Sequence, residues 1–404
     1  MKSVLLYASL MLTIGSTCVS AQINTSGTPW EKATFPPAPE CRVVGQDSIR
    51  SLIFESLPYK GKNKSVFAYY CTPSMINGGN PSDDRNLPGI ILVHGGGGTA
   101  FRDWAAMWAK RGYAAIALDT RGNGPERKHI EGGFEEPGNE TPYFDITLPL
   151  QEQWVYQAAG DVINAHSLLR SFPEVDTTRT AITGISWGGV LTCITSSLDG
   201  RFKAAVPVYG CGYLWDSGKM KENLDALPEA ERETWIKQYD PSNFLARNDR
   251  PLLLINGTND VHFYLPSMAK SAALHPHAEI LIKQGLRHNH KYGWSNDEIE
   301  AFINHYLSGT SPLPVIRDDN DNYDLAAGST ASGTIASPTA VKEVKLHYTT
   351  DTDEMLDKRQ WQQTDATLSG NRWKVSIPAD ATMWYVSTVT PDGLQATTHL
   401  HYIP

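Results

Sequence analysis

The sequence has few of the residues that metal or nucleic-acid chemistry requires. It contains five cysteines in 404 residues, and no cysteine or histidine spacing matches a metal-binding motif. Its 35 lysines and arginines are outnumbered by 44 aspartates and glutamates, which gives a formal net charge of −9. An acidic chain does not attract nucleic acid or an anionic membrane surface. We therefore expect neither as a partner, and we expect no metal or other cofactor.

Long apolar runs are also missing, apart from one at the N-terminus. Lys2 precedes the apolar stretch from Val4 to Ile14, and Val19-Ser20-Ala21 forms a small-residue cleavage site. The stretch is too short to span a membrane. We predict a signal peptide over residues 1–21 and a secreted protein, either periplasmic or extracellular.

Four cysteines lie beyond the predicted cleavage site, and export permits disulfide bonds. Cys41 and Cys71 both fall in an N-terminal region of β pattern, so they are the candidates for a bridge. Cys193 lies on a predicted helix, where it is interpreted as a small buried residue.

Hydrophobic periodicity divides the rest of the chain into domains. Residues 22–87 are predicted to form a loose Pro-rich arm and then a β-hairpin. Beyond them, short apolar strands alternate with amphipathic helices, which predicts a mostly parallel sheet with helices on both faces, an α/β class. We assign residues 22–310 to this α/β domain, 311–338 to a linker rich in Gly, Ser, Thr and Pro, and 339–404 to a small C-terminal all-β sandwich.

The C-terminal domain has no catalytic set of its own. Its alternating strands are separated by turn residues such as Pro391-Asp392-Gly393. It could cover an edge of the main sheet, bind carbohydrate or mediate self-association, and a structural role is favoured. The sequence leaves the oligomeric state open.

The pentapeptide Gly184-Ile185-Ser186-Trp187-Gly188 lies between a predicted strand, Thr180 to Thr183, and a predicted helix, Val190 to Leu198. A serine on such a strand-to-helix turn is the nucleophile elbow of a hydrolase. The turn is strained and admits only small neighbours, which explains glycine two residues before and two residues after the serine. Ser186 is the predicted nucleophile.

A glycine run, His94 to Gly98, directly follows the predicted strand Ile90 to Val93. Backbone N–H groups of such a loop, together with the N–H of the residue after the nucleophile, form an oxyanion hole. We predict Gly96, Gly97 and Trp187 as its donors. The alternative is a plain loop or a phosphate cradle, although no Gly-Lys-Ser/Thr follows as it would in a P-loop.

The acid and the base of a triad are expected after later strands, in the order serine, acid, histidine. Asp260 follows the predicted strand Pro251 to Ile255 and is the predicted acid, with a turn-capping role as the alternative. His288 and His290 both follow the predicted strand Ala278 to Lys283. We favour His288 as the general base, which leaves His290 as a supporting or solvated residue.

Two polar, aromatic segments interrupt the alternation of strands and helices, at Gly124 to Leu150 and Gly212 to Leu245. Both follow strands at the edge where a site is expected, so we interpret them as insertions that shape a substrate pocket, with surface decoration as the alternative. Trp187 either lies near that pocket or packs beneath the elbow. His262 is predicted to be a surface or packing residue.

These motifs resemble those of secreted bacterial esterases of the α/β-hydrolase superfamily. The matching segments are His94 to Gly98, Asp119 to Gly124 and Gly184 to Gly189. They are similar to acetyl xylan esterases and cephalosporin C deacetylases, and to dienelactone-hydrolase-like enzymes. The resemblance covers about Leu87 to Ser308 and implies an α/β-hydrolase fold. The arginine of the Arg-Gly-x-Gly segment supports the active site in the deacetylases, which implies this role for Arg121, with a charge-paired structural role equally compatible.

The chain also departs from those enzymes. Deacetylases carry Gln after the nucleophile, where this chain has Trp187, and Glu after the base, where His288 is followed by Asn289. The resemblance therefore implies the fold and the triad more than the substrate.

Three functions fit these features. The first is a secreted serine carboxylic ester hydrolase that removes acetyl or other short acyl groups from carbohydrate such as plant polysaccharide, through an acyl-enzyme. The second is a serine peptidase of the prolyl-oligopeptidase type, although residues 22–87 are too few for its usual propeller. The third is a non-catalytic binding protein, which would have no reason to keep Ser186, Asp260 and His288. We favour the first, with a small ester or an acylated carbohydrate as the expected partner.

Overall fold

The computed structural model describes residues 22–135, 141–319 and 328–402. The predicted signal peptide lies outside these residues. Within them, no helix is both long enough and apolar enough to cross a membrane.

One large sheet of nine strands forms the centre of the α/β domain. The strands in chain order are β1 (Cys41–Gln46), β2 (Arg50–Tyr59), β3 (Lys62–Cys71), β4 (Leu87–Val93), β5 (Ala114–Leu118), β6 (Val175–Ile185), β7 (Ala204–Val208), β8 (Leu252–Gly257) and β9 (Ala278–Lys283). They lie in the order β1-β2-β3-β5-β4-β6-β7-β8-β9. β1, β2, β3 and β5 pair antiparallel, and β5, β4 and β6 to β9 pair parallel.

Helices cover both faces of this sheet. They are α1 (Pro73–Ile76), α2 (Arg102–Lys110), α3 (Trp154–Ser171), α4 (Trp187–Leu198), α5 (Gly218–Asp225), α6 (Glu229–Tyr239), α7 (Leu265–Ala273), α8 (His290–Trp294) and α9 (Asp297–Ser308). α3 and α4 pack together on one face, and α2 and α9 pack on the other. Strands covered on both sides are apolar throughout, as in the fully buried β5. The predicted α/β-hydrolase architecture is confirmed.

The segment predicted as a loose arm is packed instead. Trp30 is completely buried, and its Nε1 donates a hydrogen bond to the carbonyl oxygen of Tyr156, 2.8 Å away. The Trp30 ring stacks on the Tyr156 ring with 5.9 Å between centroids. The buried indole anchors this segment because an aromatic side chain buries a large apolar area, and Ile23, Ala33 and Phe35 also pack against the same core.

The C-terminal domain is a two-sheet β structure, as predicted. Its strands are β10 (Val315–Asp318), β11 (Thr330–Ala336), β12 (Glu343–Thr349), β13 (Gln362–Asp365), β14 (Thr367–Ser369), β15 (Arg372–Ser376), β16 (Met383–Val389), β17 (Gln395–Thr397) and β18 (His401–Tyr402). One sheet has the order β10-β11-β15-β14, and the other has β13-β12-β16-β17, with β18 also paired to β16. Trp373, Trp384 and Val386 belong to the domain's own core.

The predicted linker over residues 311–338 is wrong in part, because it contains β10 and β11. These strands pair antiparallel from Val315 opposite Ala336 to Asp318 opposite Gly333. β11 was predicted as part of a linker because it contains small residues such as Ala331 and Gly333, which are also common in linkers. The β domain therefore includes β10 and β11.

The C-terminal domain covers the edge of the large sheet at β9. Thr397 Oγ1 accepts a hydrogen bond from the Ile282 N–H at 3.2 Å and donates one to the Ile280 carbonyl oxygen at 3.0 Å. Tyr385 and Leu400 of the β domain join the core of the α/β domain. The C-terminal domain therefore has one of the roles considered for it, the covering of a sheet edge. It protects β9, which would otherwise expose unpaired backbone groups.

The predicted bridge between Cys41 and Cys71 is wrong, because all four cysteines of the described residues are free. Cys41 pairs with Phe54, and Phe54 pairs with Val66 of β3. Cys71 lies further along β3, about 16 Å from Val66 at a rise of ~3.3 Å per residue. A shared β pattern placed both cysteines in one sheet, but it did not give the register.

Candidate active site

The predicted site residues lie at the carboxyl ends of the parallel strands. Ile185 at the end of β6 pairs with Val208 of β7, and Val208 pairs with Ile255 of β8. The loops that leave these strands therefore begin side by side. In parallel sheets, ligands bind at this edge. Ser186 and Asp260 lie on two of these loops.

Ser186 has φ 60° and ψ −117°, a backbone conformation that residues other than glycine rarely adopt. Its N–H donates to the Val208 carbonyl oxygen at 2.8 Å. A Cβ atom on Gly184 would lie 2.1 Å from the Gly188 carbonyl oxygen, and one on Gly188 would lie 2.0 Å from the Val93 carbonyl oxygen. Only glycine fits at both positions, which is the steric reason for the predicted elbow motif.

The glycine run after β4 lies against this elbow. A Cβ atom on Gly95 would lie 2.9 Å from the Ser186 Cβ, and one on Gly96 would lie 2.8 Å from Trp187 Cδ1. The Gly97 N–H donates to Tyr143 Oη at 3.3 Å. Among the described residues, the Gly96 N–H has no hydrogen-bond acceptor. The Trp187 N–H opens α4, where the first amides of a helix have no partner within the helix.

Asp260 and His288 form a hydrogen-bonded pair. Asp260 Oδ2 lies 2.7 Å from His288 Nδ1, and Asp260 Oδ1 accepts from the N–H groups of His262 and Phe263 at 2.8 and 2.9 Å. One carboxylate oxygen therefore caps the turn, and the other orients the imidazole. Because an ionised carboxylate only accepts, His288 Nδ1 carries the proton and Nε2 is left as the acceptor nitrogen.

The His288 imidazole is held between aromatic rings. Tyr209 stacks on it with 4.4 Å between centroids, and His262 approaches it to 4.6 Å. The Tyr209 hydroxyl donates to the Arg287 carbonyl oxygen at 2.7 Å. His262 was predicted as a surface or packing residue and Tyr209 was not predicted at all. The available signal for Tyr209 was its position directly after β7, the strand next to the elbow.

His290 contacts the glycine run instead of a carboxylate. Its Nε2 accepts the Gly95 N–H at 2.9 Å, and its ring lies 4.8 Å from the Phe101 ring. Burial, with smaller contributions from His94 and His288, lowers the pKa of His290 to about 4. His290 is therefore neutral near pH 7 and holds the glycine run in place.

His94, which begins the glycine run, is buried beneath it. Its Nε2 accepts the Thr120 N–H at 3.0 Å, and its Nδ1 lies 2.7 Å from the Gly95 carbonyl oxygen. Burial, with a smaller contribution from the positive charge of nearby Arg121, lowers the pKa of His94 to about 4. Arg121 thus lies on the loop that supports the glycine run, and its N–H donates to Asp119 Oδ1 at 2.8 Å.

Trp187 packs into a cluster of aromatic rings built by both predicted insertions. Tyr143 and Phe144 come from the first insertion, at 4.9 and 5.2 Å from the Trp187 ring. Trp235 comes from the second, at 6.4 Å, and its Nε1 donates to the Tyr143 carbonyl oxygen at 2.9 Å. Trp154 completes the cluster at 5.5 Å. Trp187 is 5% exposed, so it packs within the insertions, which are more than surface decoration.

The part of the chain that the structure describes contains no group of three or more His, Cys, Asp or Glu side chains that could hold a metal ion.

The chain is similar to acetyl xylan esterases in both sequence and structure. The sequence profile of the acetyl xylan esterase family (AXE1) matches residues 51–248. An acetyl xylan esterase from a Paenibacillus species has a similar structure, with a TM-score of 0.54 and 22% identity, over 67% of this chain and 89% of that one. Acetyl xylan esterase 1 from a Thermoanaerobacterium species is similar with a TM-score of 0.52 and 21% identity, over 67% and 89% of the two chains. At these identities the structures show a shared fold.

A further relative is an uncharacterized peptidase, YuxL, of Bacillus subtilis. It is 24% identical over 194 residues, which are 44% of this chain. The match spans 26% of that relative's length.

Proposed function

The chain is an α/β hydrolase that resembles the acetyl xylan esterases, and on this premise we propose that it is a serine carboxylic ester hydrolase that removes acetyl or other short acyl groups from carbohydrate. The observation that carries the proposal is the 2.7 Å contact between Asp260 and His288 at the sheet edge that also bears Ser186. A carboxylate, an oriented imidazole and a serine on a strained elbow are the three parts of a hydrolytic triad.

The same three groups act in both half-reactions. The Ser186 hydroxyl attacks the ester carbonyl carbon while His288 Nε2 takes its proton, and the imidazolium then protonates the departing alcohol. Water attacks the acyl-enzyme by the same route and releases the acid and the free serine. The N–H groups of Gly96 and Trp187 would hold the oxyanion, because the Gly97 N–H is already bonded to Tyr143.

His288 is the better base of the two histidines for a geometric reason. His290 Nε2 already accepts the Gly95 N–H. His288 presents Nε2 because its Nδ1 proton is directed to Asp260. An imidazole nitrogen that accepts one hydrogen bond cannot at the same time take the proton of the serine.

The aromatic cluster around Trp187 supports a preference for short acyl groups. Trp187 Cδ1 lies 2.8 Å from the position that a Cβ atom on Gly96 would occupy, and the Tyr143 hydroxyl lies 3.6 Å from that position. Bulky rings thus fill the space beside the proposed oxyanion donor. The match to the acetyl xylan esterase profile and the predicted signal peptide support an acetylated polysaccharide outside the cell as the substrate.

A serine peptidase is the second candidate, supported by the similarity to the Bacillus subtilis peptidase. The test compares hydrolysis of p-nitrophenyl acetate, butyrate and octanoate, acetylated xylo-oligosaccharides and aminoacyl p-nitroanilides. It uses the wild-type protein, Ser186→Ala and, as a matched control, Ser295→Ala at an exposed serine. We expect acetate to be preferred, and we expect activity to be lost only in Ser186→Ala. Cleavage of the anilides alone would replace the esterase proposal, and no Ser186-dependent turnover would refute both.

A further inference from the structure

One segment of the C-terminal domain, residues 357–361, contacts two loops of the α/β domain. The first is the acid loop, residues 258–264, which joins β8 to α7 and carries Asp260. The second is the base loop, residues 284–289, which joins β9 to α8 and carries His288. β9 is the edge strand, so it pairs with a strand of the large sheet on one side only, and the C-terminal domain lies on its other side.

Asn259, the residue before Asp260, is bound by this segment. Its Nδ2 donates to the carbonyl oxygens of Asp357 and Arg359 at 3.0 and 2.8 Å. Both amide hydrogens are therefore used, which fixes the orientation of the side chain although the residue is exposed. At the far end of the same loop, Tyr264 Oη lies 3.3 Å from Asp357 Oδ1.

Gln284, the first residue of the base loop, is held at both ends of its amide group. Its Nε2 donates to the Trp361 carbonyl oxygen at 3.1 Å, and its Oε1 lies 2.8 Å from His347 Nδ1. His347 Nε2 in turn lies 2.8 Å from Ser387 Oγ. Burial lowers the pKa of His347 to about 4, so a neutral ring donates to Gln284 and accepts from Ser387.

The two loops are also joined directly to each other. Thr258 Oγ1 donates to Asn259 Oδ1 at 2.7 Å and accepts the Gly285 N–H at 3.0 Å. Hydrogen bonds therefore link the C-terminal domain to Asn259, Asn259 to Thr258, and Thr258 to Gly285. The backbone joins Gly285 to Gln284, whose side chain is hydrogen-bonded back to the C-terminal domain, so the connections form a closed circuit. The circuit closes beside the pair formed by Asp260 and His288.

We propose that the C-terminal β domain positions the triad, with Asn259 and Gln284 as its positioning residues. This inference rests on the proposed function. The contact between Asp260 and His288 depends on the relative position of two loops, and residues 357–361 fix that position. A displacement of about 1 Å at such a contact can reduce a rate by about 100-fold.

The test compares Asn259→Ala, Gln284→Ala and the double variant with Thr397→Val. The last removes two hydrogen bonds across the same domain interface but none to either loop. We would measure kcat and KM for p-nitrophenyl acetate, the rate at which a fluorophosphonate labels Ser186, and the midpoint of thermal unfolding. We expect each single variant to lower kcat and the labelling rate by about 10-fold with KM within about twofold. The double variant should lose less than the product of the two, because both residues belong to one circuit.

The control separates positioning from stability. Thr397→Val should lower the unfolding midpoint and keep kcat. If the loop variants keep their kcat and labelling rate, or if Thr397→Val loses as much kcat at the same loss of midpoint, the positioning role is refuted.

Failure of the proposed function would be seen separately, as a wild-type protein that neither hydrolyses esters nor reacts with the fluorophosphonate. The loops would then be compared by hydrogen exchange. Faster exchange over residues 258–264 and 284–289 in the loop variants supports the structural part of the inference, and unchanged exchange overturns it.

Discussion

The ring of Tyr209 stacks on the imidazole of His288, with 4.4 Å between centroids and 28° between planes. The Tyr209 backbone has φ +67°, which is uncommon for a tyrosine. Such strain persists where the surrounding structure fixes a residue firmly. Here this backbone conformation places the tyrosine ring against His288, and the hydroxyl donates a hydrogen bond to the Arg287 carbonyl oxygen.

Removal of the Tyr209 hydroxyl should therefore slow the reaction without weakening substrate binding. Tyr209→Phe keeps the stacked ring and loses one hydrogen bond, worth about 1 kcal/mol, so kcat should fall by about fivefold. Tyr209→Leu loses the aromatic ring as well, and kcat should fall further. Steady-state kinetics on p-nitrophenyl acetate would show this as a change in kcat at constant KM. Wild-type kcat in both variants would contradict a positioning role for Tyr209.

The two neighbouring histidines should respond very differently to substitution. His288→Ala removes the proposed base and should lower kcat by about 10⁴-fold. His290→Gln retains an acceptor for the Gly95 N–H and should keep kcat within about tenfold of wild type, because one weakened hydrogen bond is worth about 1 kcal/mol. The two variants should be compared in one assay at pH 7.5. A larger loss in His290→Gln than in His288→Ala would reverse the assignment.

The features that sequence could predict are those encoded by neighbouring residues. The elbow around Ser186 follows from five consecutive residues, because the close approach of Gly184 to Gly188 is local. The covering of the sheet on both faces follows from continuous apolar strands such as β5. Asp260 and His288 were placed by their order after successive strands, and the structure brings these two side chains to 2.7 Å.

The features that sequence could not predict depend on register and on contacts between distant segments. Tyr209 meets Arg287 across 78 positions of the chain, and Asn259 meets Asp357 across 98. No local pattern records such pairings. Trp30 was overlooked for a related reason, since a single buried indole in a Pro-rich segment gives no periodicity. The insertions were recognised as departures from the strand–helix alternation, but their convergence on Trp187 required the fold.

Truncation of Trp235 should loosen the junction of the two insertions. The side chain is 1% exposed, and its ring lies 5.0 Å from Phe144. Trp235→Ala should lower the free energy of unfolding by about 3–5 kcal/mol through the cavity it leaves. It should also raise the hydrolysis of p-nitrophenyl octanoate relative to acetate. Trp235→Phe, which keeps a ring but loses the N–H to Tyr143, should show a smaller change in both. An unchanged chain-length preference in Trp235→Ala would show that the cluster does not limit the acyl group.

Burial of His94 should make the protein less stable in acid. An unfolded histidine takes up a proton near pH 6.5, whereas the pKa of folded His94 is lowered to about 4 by burial. Between these values the unfolded chain binds a proton that the folded chain does not, so the stabilisation is complete above pH 6.5 and is lost as the pH falls toward 4. By pH 4.5 the loss from this one group is about 2.5 kcal/mol. His94→Gln retains an acceptor for the Thr120 N–H without titrating, so its free energy of unfolding in urea should fall less between pH 7 and 4.5 than that of wild type or of the exposed control His277→Gln. Equal pH dependence in all three proteins would contradict a neutral, buried His94.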